Sequence, residues 1–175
     1  MLAAQAAMRE KLEEWQDRKF GLLMHWGLYA QLGIVESWAL CSEDQPFQDR
    51  RGMPYQEFKE MYFGQIREFN PTEFDPAAWV AMAKAAGMKY ITITSKHHDG
   101  FSMWASKLTP WNAKDKGPQR DLTGELAEAI RKRPGVERVV ALLRVLQEQL
   151  VLAVGGDLLA LLVQETDADV LDPLR

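Results

Sequence analysis

The chain has 175 residues, enough to bury a core and the size of one ordinary domain. With 47% hydrophobic and 26% charged residues it is globular in composition, and a formal charge of −4 argues against nucleic acid as a partner, because phosphate binding relies on clustered Lys and Arg. The single cysteine, Cys41, excludes an intrachain disulfide, and no apolar run is long enough to span a membrane.

The first part of the chain predicts a strand between helical segments. A helix, a strand buried on both faces, a long loop and two further helices are expected at residues 3–16, 20–25, 27–51, 54–66 and 77–86. Long loops are uncommon unless they have a function, so the loop is a candidate wall of a site. The N-terminal segment lacks the apolar core of a signal peptide, and we expect a cytoplasmic protein, or an extracytoplasmic one if a leader was removed.

The second part repeats the order of strand, loop and helix. A strand is expected at 89–95, a long loop at 98–120 and a helix at 122–133 that Asp121 caps. Alternating strands and helices predict parallel strands with right-handed crossovers. We therefore expect an α/β fold in which residues 1–133 form the first strands and helices of a partial (β/α)8 TIM-type barrel, whose complete form needs about 250 residues.

Residues 134–175 differ in character from the rest of the chain, because they contain no aromatic residue. Their apolar residues recur at helical spacing and predict a Leu- and Val-rich helical tail as a second region. The stripe consists of Val136, Val139, Val140, Leu143, Leu146 and Leu150. No strand is predicted here.

All three histidines of the chain follow the predicted strands. His25 ends the first strand, and His97 and His98 end the second, beside Asp99. In α/β folds ligands bind at the carboxyl ends of strands. Neutral imidazoles there can donate to and accept from sugar hydroxyls, and Asp99 could orient one of them. Two other interpretations stay open: a structural pair bonded to backbone, and a divalent metal site, for which a second spaced pair of ligands is lacking.

The two long loops carry further candidates. Glu36-Ser37-Trp38 offers a carboxylate beside an aromatic wall, although Glu36 taken alone also fits a solvated loop charge. Trp26, Trp104 and Trp111 are interpreted either as platforms for a ligand or as core and lid packing.

The order and spacing of four segments are specific. They are residues 15–29 (WQDRKFGLLMHWGLY), Glu36-Ser37-Trp38, Phe69-Asn70-Pro71 with Phe74-Asp75-Pro76, and 86–101 (AGMKYITITSKHHDGF). With these segments the chain resembles glycoside hydrolase family 29, the α-L-fucosidases, over about residues 13–133.

The resemblance implies a (β/α)-barrel catalytic domain that removes terminal α-L-fucose with retention of configuration. By motif match, five residues fall on positions that line the fucose pocket: His25, Glu36, Trp38, His97 and His98. Asp99 is expected to hold the strand end instead. The expected partner is L-fucose or a fucosylated oligosaccharide, with no cofactor, no metal, no nucleic acid and no membrane.

The chain departs from the family pattern after residue 133. Retaining hydrolysis needs two carboxylates about 5 Å apart, one of them a nucleophile. The resemblance implies that the nucleophile is an aspartate on a later strand, which residues 134–175 do not match. We therefore predict a truncated α-L-fucosidase with no catalytic nucleophile in this chain, inactive or nearly so, in which Glu36 could only assist as an acid. An interrupted reading frame near residue 133 would explain the departure.

Two alternatives from other classes stay open. One is a non-catalytic carbohydrate-binding module, or a half-barrel that forms homo-oligomers through the strand edges it leaves unpaired. The other, weaker, is a metal-dependent hydrolase built on the histidines at the two strand ends.

Overall fold

The computed structural model describes residues 9–10, 12–13, 16–41 and 48–133, with the backbone of 139–143. The regular elements, in chain order, are β1 (Gly21–Met24), α1 (Leu28–Leu32), α2 (Tyr55–Gly64), α3 (Pro76–Ala85), β2 (Tyr90–Lys96), α4 (Leu122–Arg131) and β3 (Val139–Leu143). Short 3₁₀ helices lie at Trp38–Leu40 and Gln65–Arg67. Of the helix predicted at 3–16, the residues that are described are helical.

The described strands form one parallel sheet in the order β1-β2-β3. This confirms the parallel α/β arrangement. Residues 91–95 of the central strand β2 are all buried, which explains why the sequence there does not alternate. β1 lies at the edge of the described sheet, and Leu23 is 54% exposed. The predicted burial of this strand on both faces is therefore wrong.

The third strand corrects the prediction for the start of the tail. Residues 139–143 were expected on a helical stripe, but they pair with β2 in parallel, with Ile91 opposite Val139 and Ile93 opposite Ala141. A short apolar run is compatible with a helix or with a buried parallel strand, and periodicity alone does not separate the two. The neighbouring β2 edge decided the outcome. Val136, Leu146 and Leu150 lie outside the described residues.

The predicted helices are present, with ends set by local chemistry. α3 begins after Asp75, whose carboxylate accepts from the backbone N–H groups of Ala77 and Ala78 at 2.8 and 3.0 Å. α4 begins after Asp121, which accepts from the N–H of Gly124 at 2.7 Å. These side chains satisfy N–H groups that a helix leaves unpaired at its start.

The long loop predicted at 27–51 is partly helical. α1 and the 3₁₀ helix at Trp38–Leu40 form there because Leu28, Tyr29 and Ala39 are buried. The hydrophobic core of the described residues joins this segment to the sheet, since Leu28 and the strand residues Ile91 and Ile93 belong to one buried cluster. Its largest fully buried side chains are Tyr62, Phe58, Phe101, Leu28, Ile91, Ile93, Met103, Leu122, Leu126 and Val80. In the described part of the chain no helix combines the length and apolar character needed to cross a bilayer.

Candidate functional site

The ends of β1 and β2 bring histidines together, as expected. His25 directly follows β1, and His97 directly follows β2. Because the two strands are parallel neighbours, their carboxyl ends meet at one edge of the sheet, and the two imidazole centroids lie 6.3 Å apart. A sequence separation of more than seventy residues is thus closed by one strand pairing.

Glu36 lies between the two histidines. Its Oε1 is 3.2 Å from Nε2 of His25, and its Oε2 is 2.6 Å from Nε2 of His97. The indole Nε1 of Trp38 donates to the same Oε2 at 2.8 Å. Glu36 itself has φ 54°, in the left-handed region that residues other than glycine rarely adopt. Such strain is often found where a side chain has to be presented for a function.

The cluster is graded from the surface inward. The side chain of His25 is 30% exposed, that of Glu36 is 17% exposed and that of His97 is only 2% exposed. On its inner side, Nδ1 of His97 lies 2.5 Å from the hydroxyl of the buried Ser37. A ligand arriving from solvent therefore meets His25 and Glu36 before it meets His97.

Aromatic rings enclose the two adjacent histidines. Trp38 packs on His98 with ring centroids 4.7 Å apart, and His98 stands perpendicular to His97 at the same centroid distance. Tyr29 approaches His97 edge-on at 5.4 Å. His98 is half-buried, and together with Trp38 it forms one side of the cluster.

Thr94 links the ends of the two strands beneath the cluster. Its Oγ1 accepts from the backbone N–H of Trp26 at 3.0 Å and lies 2.9 Å from the hydroxyl of Tyr29. Burial raises the pKa of Tyr29, and neighbouring carboxylates raise it further, so its hydroxyl stays protonated. Tyr29 and Thr94 therefore act as neutral supports under the histidines.

Asp99 holds the turn after β2, and its side chain makes its hydrogen bonds to Tyr62 and Phe101 and not to a histidine ring. Tyr62 donates to its Oδ2 at 2.7 Å, and the N–H of Phe101 donates to its Oδ1 at 3.1 Å. The turn closes through Gly100, whose N–H donates to the carbonyl of His97 at 3.0 Å and whose φ of 74° suits glycine. Full burial raises the pKa of Asp99 to about 6, although the hydrogen bonds from Tyr62 and Phe101 oppose the shift.

Electrostatics assign different protonation states to Glu36 and His97 at neutral pH. Partial burial would raise the pKa of Glu36, but the imidazoles of His25 and His97 and the hydrogen bonds from His97 and Trp38 together hold it below the ordinary value. Burial, with His98 alongside, lowers the pKa of His97 to about 4, and Glu36 only partly opposes this. Glu36 is therefore an ionised acceptor and His97 a neutral ring.

The tryptophans divide between the site and the core. Trp26 turns away from the histidines and packs on Phe74 and Trp79, with ring centroids 4.7 and 5.3 Å away. Trp111 packs on Phe101 and donates to the carbonyl of Asp99 at 3.2 Å. These two residues are therefore packing residues. Trp104 is half-buried, and its proposed role as a platform stays a prediction.

The sequence alone assigns no functional role to four residues that support the cluster or the turn after β2. They are Tyr29, Ser37, Tyr62 and Thr94. Hydroxyl side chains give no signal by themselves, because they are common in loops, helices and strands alike. Of the side chains that the structure describes, no three His, Cys, Asp or Glu are arranged to hold a metal ion.

The sequence of this chain matches a known protein family. The family model described as alpha-L-fucosidase matches residues 3–144, more than three quarters of the chain. The chain belongs to the α-L-fucosidase family. The match continues past residue 133 and through β3, so the family pattern extends further than the resemblance over 13–133 indicated.

Individual fucosidases are similar over the same region. The bovine tissue alpha-L-fucosidase is 40% identical over 133 residues, which are 70% of this chain and 27% of that protein. The structure of alpha-L-fucosidase isoenzyme 1 from Paenibacillus thiaminolyticus is 35% identical with a TM-score of 0.59, covering 75% of this chain and 28% of that one. The Thermotoga maritima alpha-fucosidase in complex with fucose is 32% identical with a TM-score of 0.56, covering 71% and 32%. The chain thus spans less than a third of the length of the bovine relative.

Proposed function

We propose that this chain carries the fucose-recognition part of an α-L-fucosidase, in which His25, Glu36, Trp38 and His98 contact the sugar. The observation that carries the proposal is the position of Glu36, an ionised carboxylate partly exposed between two imidazoles and beside an indole. Such a group accepts hydrogen bonds from sugar hydroxyls, while the indole offers a ring face for sugar C–H groups. The Thermotoga relative, whose structure is described as a complex with fucose, supports fucose as the ligand.

His97 has a different place in this proposal from the one expected from sequence. Its side chain is 2% exposed, and both ring nitrogens already have partners in Ser37 and Glu36. We propose that it holds Glu36 in position and reaches the sugar only through that carboxylate. Its assignment as a direct sugar ligand stays a prediction.

We propose that a complete (β/α)8 barrel of this family performs the retaining hydrolysis of terminal α-L-fucose from fucosylated glycans. We propose that the 175-residue chain by itself does not perform this reaction. A retaining mechanism needs a second carboxylate about 5 Å from the acid. Asp99, the other carboxylate after β2, is 3% exposed and engaged by Tyr62 and Phe101. It is therefore unsuited to attack a sugar carbon. The cytoplasmic location stays a prediction.

Calorimetric titration of the full chain with L-fucose tests the proposal. We expect binding of L-fucose, no binding of its mirror image D-fucose, and at least about a tenfold loss of affinity in Glu36→Gln, because a hydrogen bond to a charged group contributes about 1.5–3 kcal/mol. Glu68→Gln, a substitution of an exposed carboxylate, should bind as the wild type does. Equal affinity for both enantiomers, or an unchanged affinity in Glu36→Gln, would refute fucose recognition at this site.

Hydrolytic activity is tested in a separate experiment. Incubation of the pure chain with an aryl α-L-fucoside should release no phenol above the buffer rate. Release that depends on Glu36 would show that the chain holds a complete catalytic pair and would overturn the proposal that it is inert.

A second function is favoured by one observation, the open edge of β1 in the described sheet. Phe20 and Leu23 there are 50% and 54% exposed. An unpaired edge beside exposed apolar side chains favours association with another chain.

A further inference from the structure

We propose that Ser37 is a positioning residue: its hydroxyl donates to Nδ1 of His97, which keeps the single ring proton on Nε2 and points it at Glu36. This role for Ser37 is one that neither the sequence nor the resemblance gives it. It deepens the proposed function and rests on it only for the consequence for the ligand, because the proton arrangement itself needs no sugar.

The direction of each hydrogen bond follows by elimination. Glu36 is ionised, so its Oε2 can only accept, and the 2.6 Å contact requires the proton to be on Nε2 of His97. A neutral ring then has a lone pair on Nδ1, which can only accept. The group facing Nδ1 at 2.5 Å is the Ser37 hydroxyl, which must therefore donate.

Burial makes this arrangement costly to leave incomplete. Ser37 is 1% exposed and His97 is 3% exposed, so water does not replace a missing partner at Nδ1. An unsatisfied buried acceptor costs about 1–3 kcal/mol. Without the hydroxyl, the ring would relieve that cost by taking up a second proton beside Glu36 or by changing its tilt.

The titratable neighbours that face the His97 ring fit the same proton order. Glu36 lies on its outer side, His25 comes from the end of β1, Tyr29 comes from α1, and His98 is its neighbour in the chain. The single negative charge in this set is Glu36, which attracts the Nε2 proton. The lowered pKa of His97, about 4, agrees with a neutral ring at neutral pH.

The consequence for the ligand is a requirement for a donor. Oε2 of Glu36 receives hydrogen bonds from His97 and Trp38, and Oε1 faces His25 at the more exposed side. A carboxylate held in this state accepts and does not donate, so a sugar oxygen that binds Glu36 must bring its own hydrogen. A free hydroxyl satisfies this requirement, and an O-methyl group at the same position does not.

Nitrogen NMR of the full chain, labelled with ¹⁵N in histidine, tests the proton order directly. The signals of His97 are those lost in His97→Gln. At neutral pH we expect the Nε2 signal to be of the protonated type and the Nδ1 signal to be of the unprotonated type. A protonated Nδ1 in the wild type would overturn the proposal, whether or not Nε2 is also protonated.

Ser37→Ala should change the nitrogen signals and the pH midpoint of His97 and leave those of the other histidines unchanged. A hydrogen bond to the neutral form lowers a pKa, so its loss should raise the pH midpoint of His97 by up to about one unit and shift the Nδ1 signal. Ser37→Thr, which keeps the hydroxyl, should restore the wild-type midpoint. An unchanged Nδ1 signal and midpoint in Ser37→Ala would refute the role of Ser37.

Ser95→Ala is the matched control, because Ser95 is also a buried serine beside the end of β2. Its side chain is fully buried, and its hydroxyl makes no hydrogen bond within the described residues. A His97 midpoint that moves equally in both variants would mean a loosened core and would contradict the proposal. If Ser37→Ala does not fold, the wild-type spectrum still decides the proton order.

The two proposals fail in different ways. If the wild-type chain does not bind L-fucose but shows the expected His97 spectrum, the fucose proposal is refuted and the role of Ser37 is left intact. Binding of L-fucose with a protonated Nδ1 would do the reverse.

Discussion

Tyr62 and Asp99 form a polar pair inside the core under the candidate site. Tyr62 is fully buried and Asp99 is 3% exposed, yet the phenol donates to the carboxyl at 2.7 Å. The pair joins α2 to the turn that presents His97 and His98. A buried carboxyl with a pKa of about 6 holds its proton more tightly in the folded state than in the unfolded chain, where the value is near 3.8. Its contribution to stability therefore falls as the pH rises from about 4 to about 6.

Tyr62→Phe should destabilise the chain most at pH 7. There Asp99 is ionised, and a hydrogen bond to a charged group contributes about 1.5–3 kcal/mol, whereas one to a neutral group contributes about 1 kcal/mol. Urea unfolding at pH 7 and at pH 4 should thus give a larger loss of unfolding free energy at pH 7. Loss of the phenol should also raise the pKa of Asp99 further.

Tyr55→Phe is the control for this experiment. The Tyr55 hydroxyl donates to the backbone carbonyl of Leu40 at 3.1 Å, an acceptor that does not titrate. Its cost should be the same at both pH values. An equal cost of Tyr62→Phe at both pH values would show that Asp99 is not charged at neutral pH.

At the scale of elements, short polar caps decide where helices begin. Asp75 and Asp121 each stand directly before a helix and accept from its first free N–H groups. In α4 the capping side chain also restricts which residue fits at position 124. A Cβ on Gly124 would lie 2.8 to 3.0 Å from the carboxyl atoms of Asp121, so glycine is what leaves room for the capping side chain.

Gly124→Ala should therefore destabilise the chain, although the same change inside a helix normally stabilises by about 1 kcal/mol. The alanine would displace the Asp121 carboxyl and lose a cap that contributes about 1 kcal/mol. In the background of Asp121→Ala the conflict is gone, and Gly124→Ala should become stabilising. Urea unfolding of the two single variants and the double variant measures this coupling. Additive effects would contradict the conflict between Gly124 and its cap.

At the scale of the whole molecule, the described sheet has an exposed apolar margin. β1 bears Leu23, 54% exposed, and Phe20 directly before it is 50% exposed. A single domain usually covers such an edge or places charged residues on it. This exposed apolar edge supports the homo-oligomer that is expected from the sequence.

We propose that the full chain associates with itself through β1 as its concentration rises. Light scattering after size exclusion should show a mass that increases with concentration, and Leu23→Lys should shift it toward the monomer because a charge on an edge strand opposes pairing. Leu108→Lys is the matched control, since Leu108 is equally exposed at 54% but lies in a loop. A constant monomer mass, or an equal effect of the two substitutions, would contradict association through β1.

Much of the fold was predictable because its signals are local. Pro76 and Gly87 bracket α3, Asp121 precedes α4, and the apolar run before His97 predicts β2. β3 was not predictable as a strand, because Val139–Leu143 fits either a helix or a strand until a neighbouring edge is present. The exposure of β1 was missed for a related reason, since a run of apolar residues does not tell whether both neighbours of a strand exist.

By itself the sequence determined the family, the positions of the histidines at strand ends and the carboxylate–indole motif in the loop. Those features depend on residue type and spacing along the chain. Only the tertiary structure decided which of these side chains face solvent and which hold the others. His97 and His98 are neighbours in the chain, but the turn after β2 buries one ring between Ser37 and Glu36 and leaves the other half-exposed beside Trp38. Burial and hydrogen-bond direction arise from contacts between distant segments, and no local pattern encodes them.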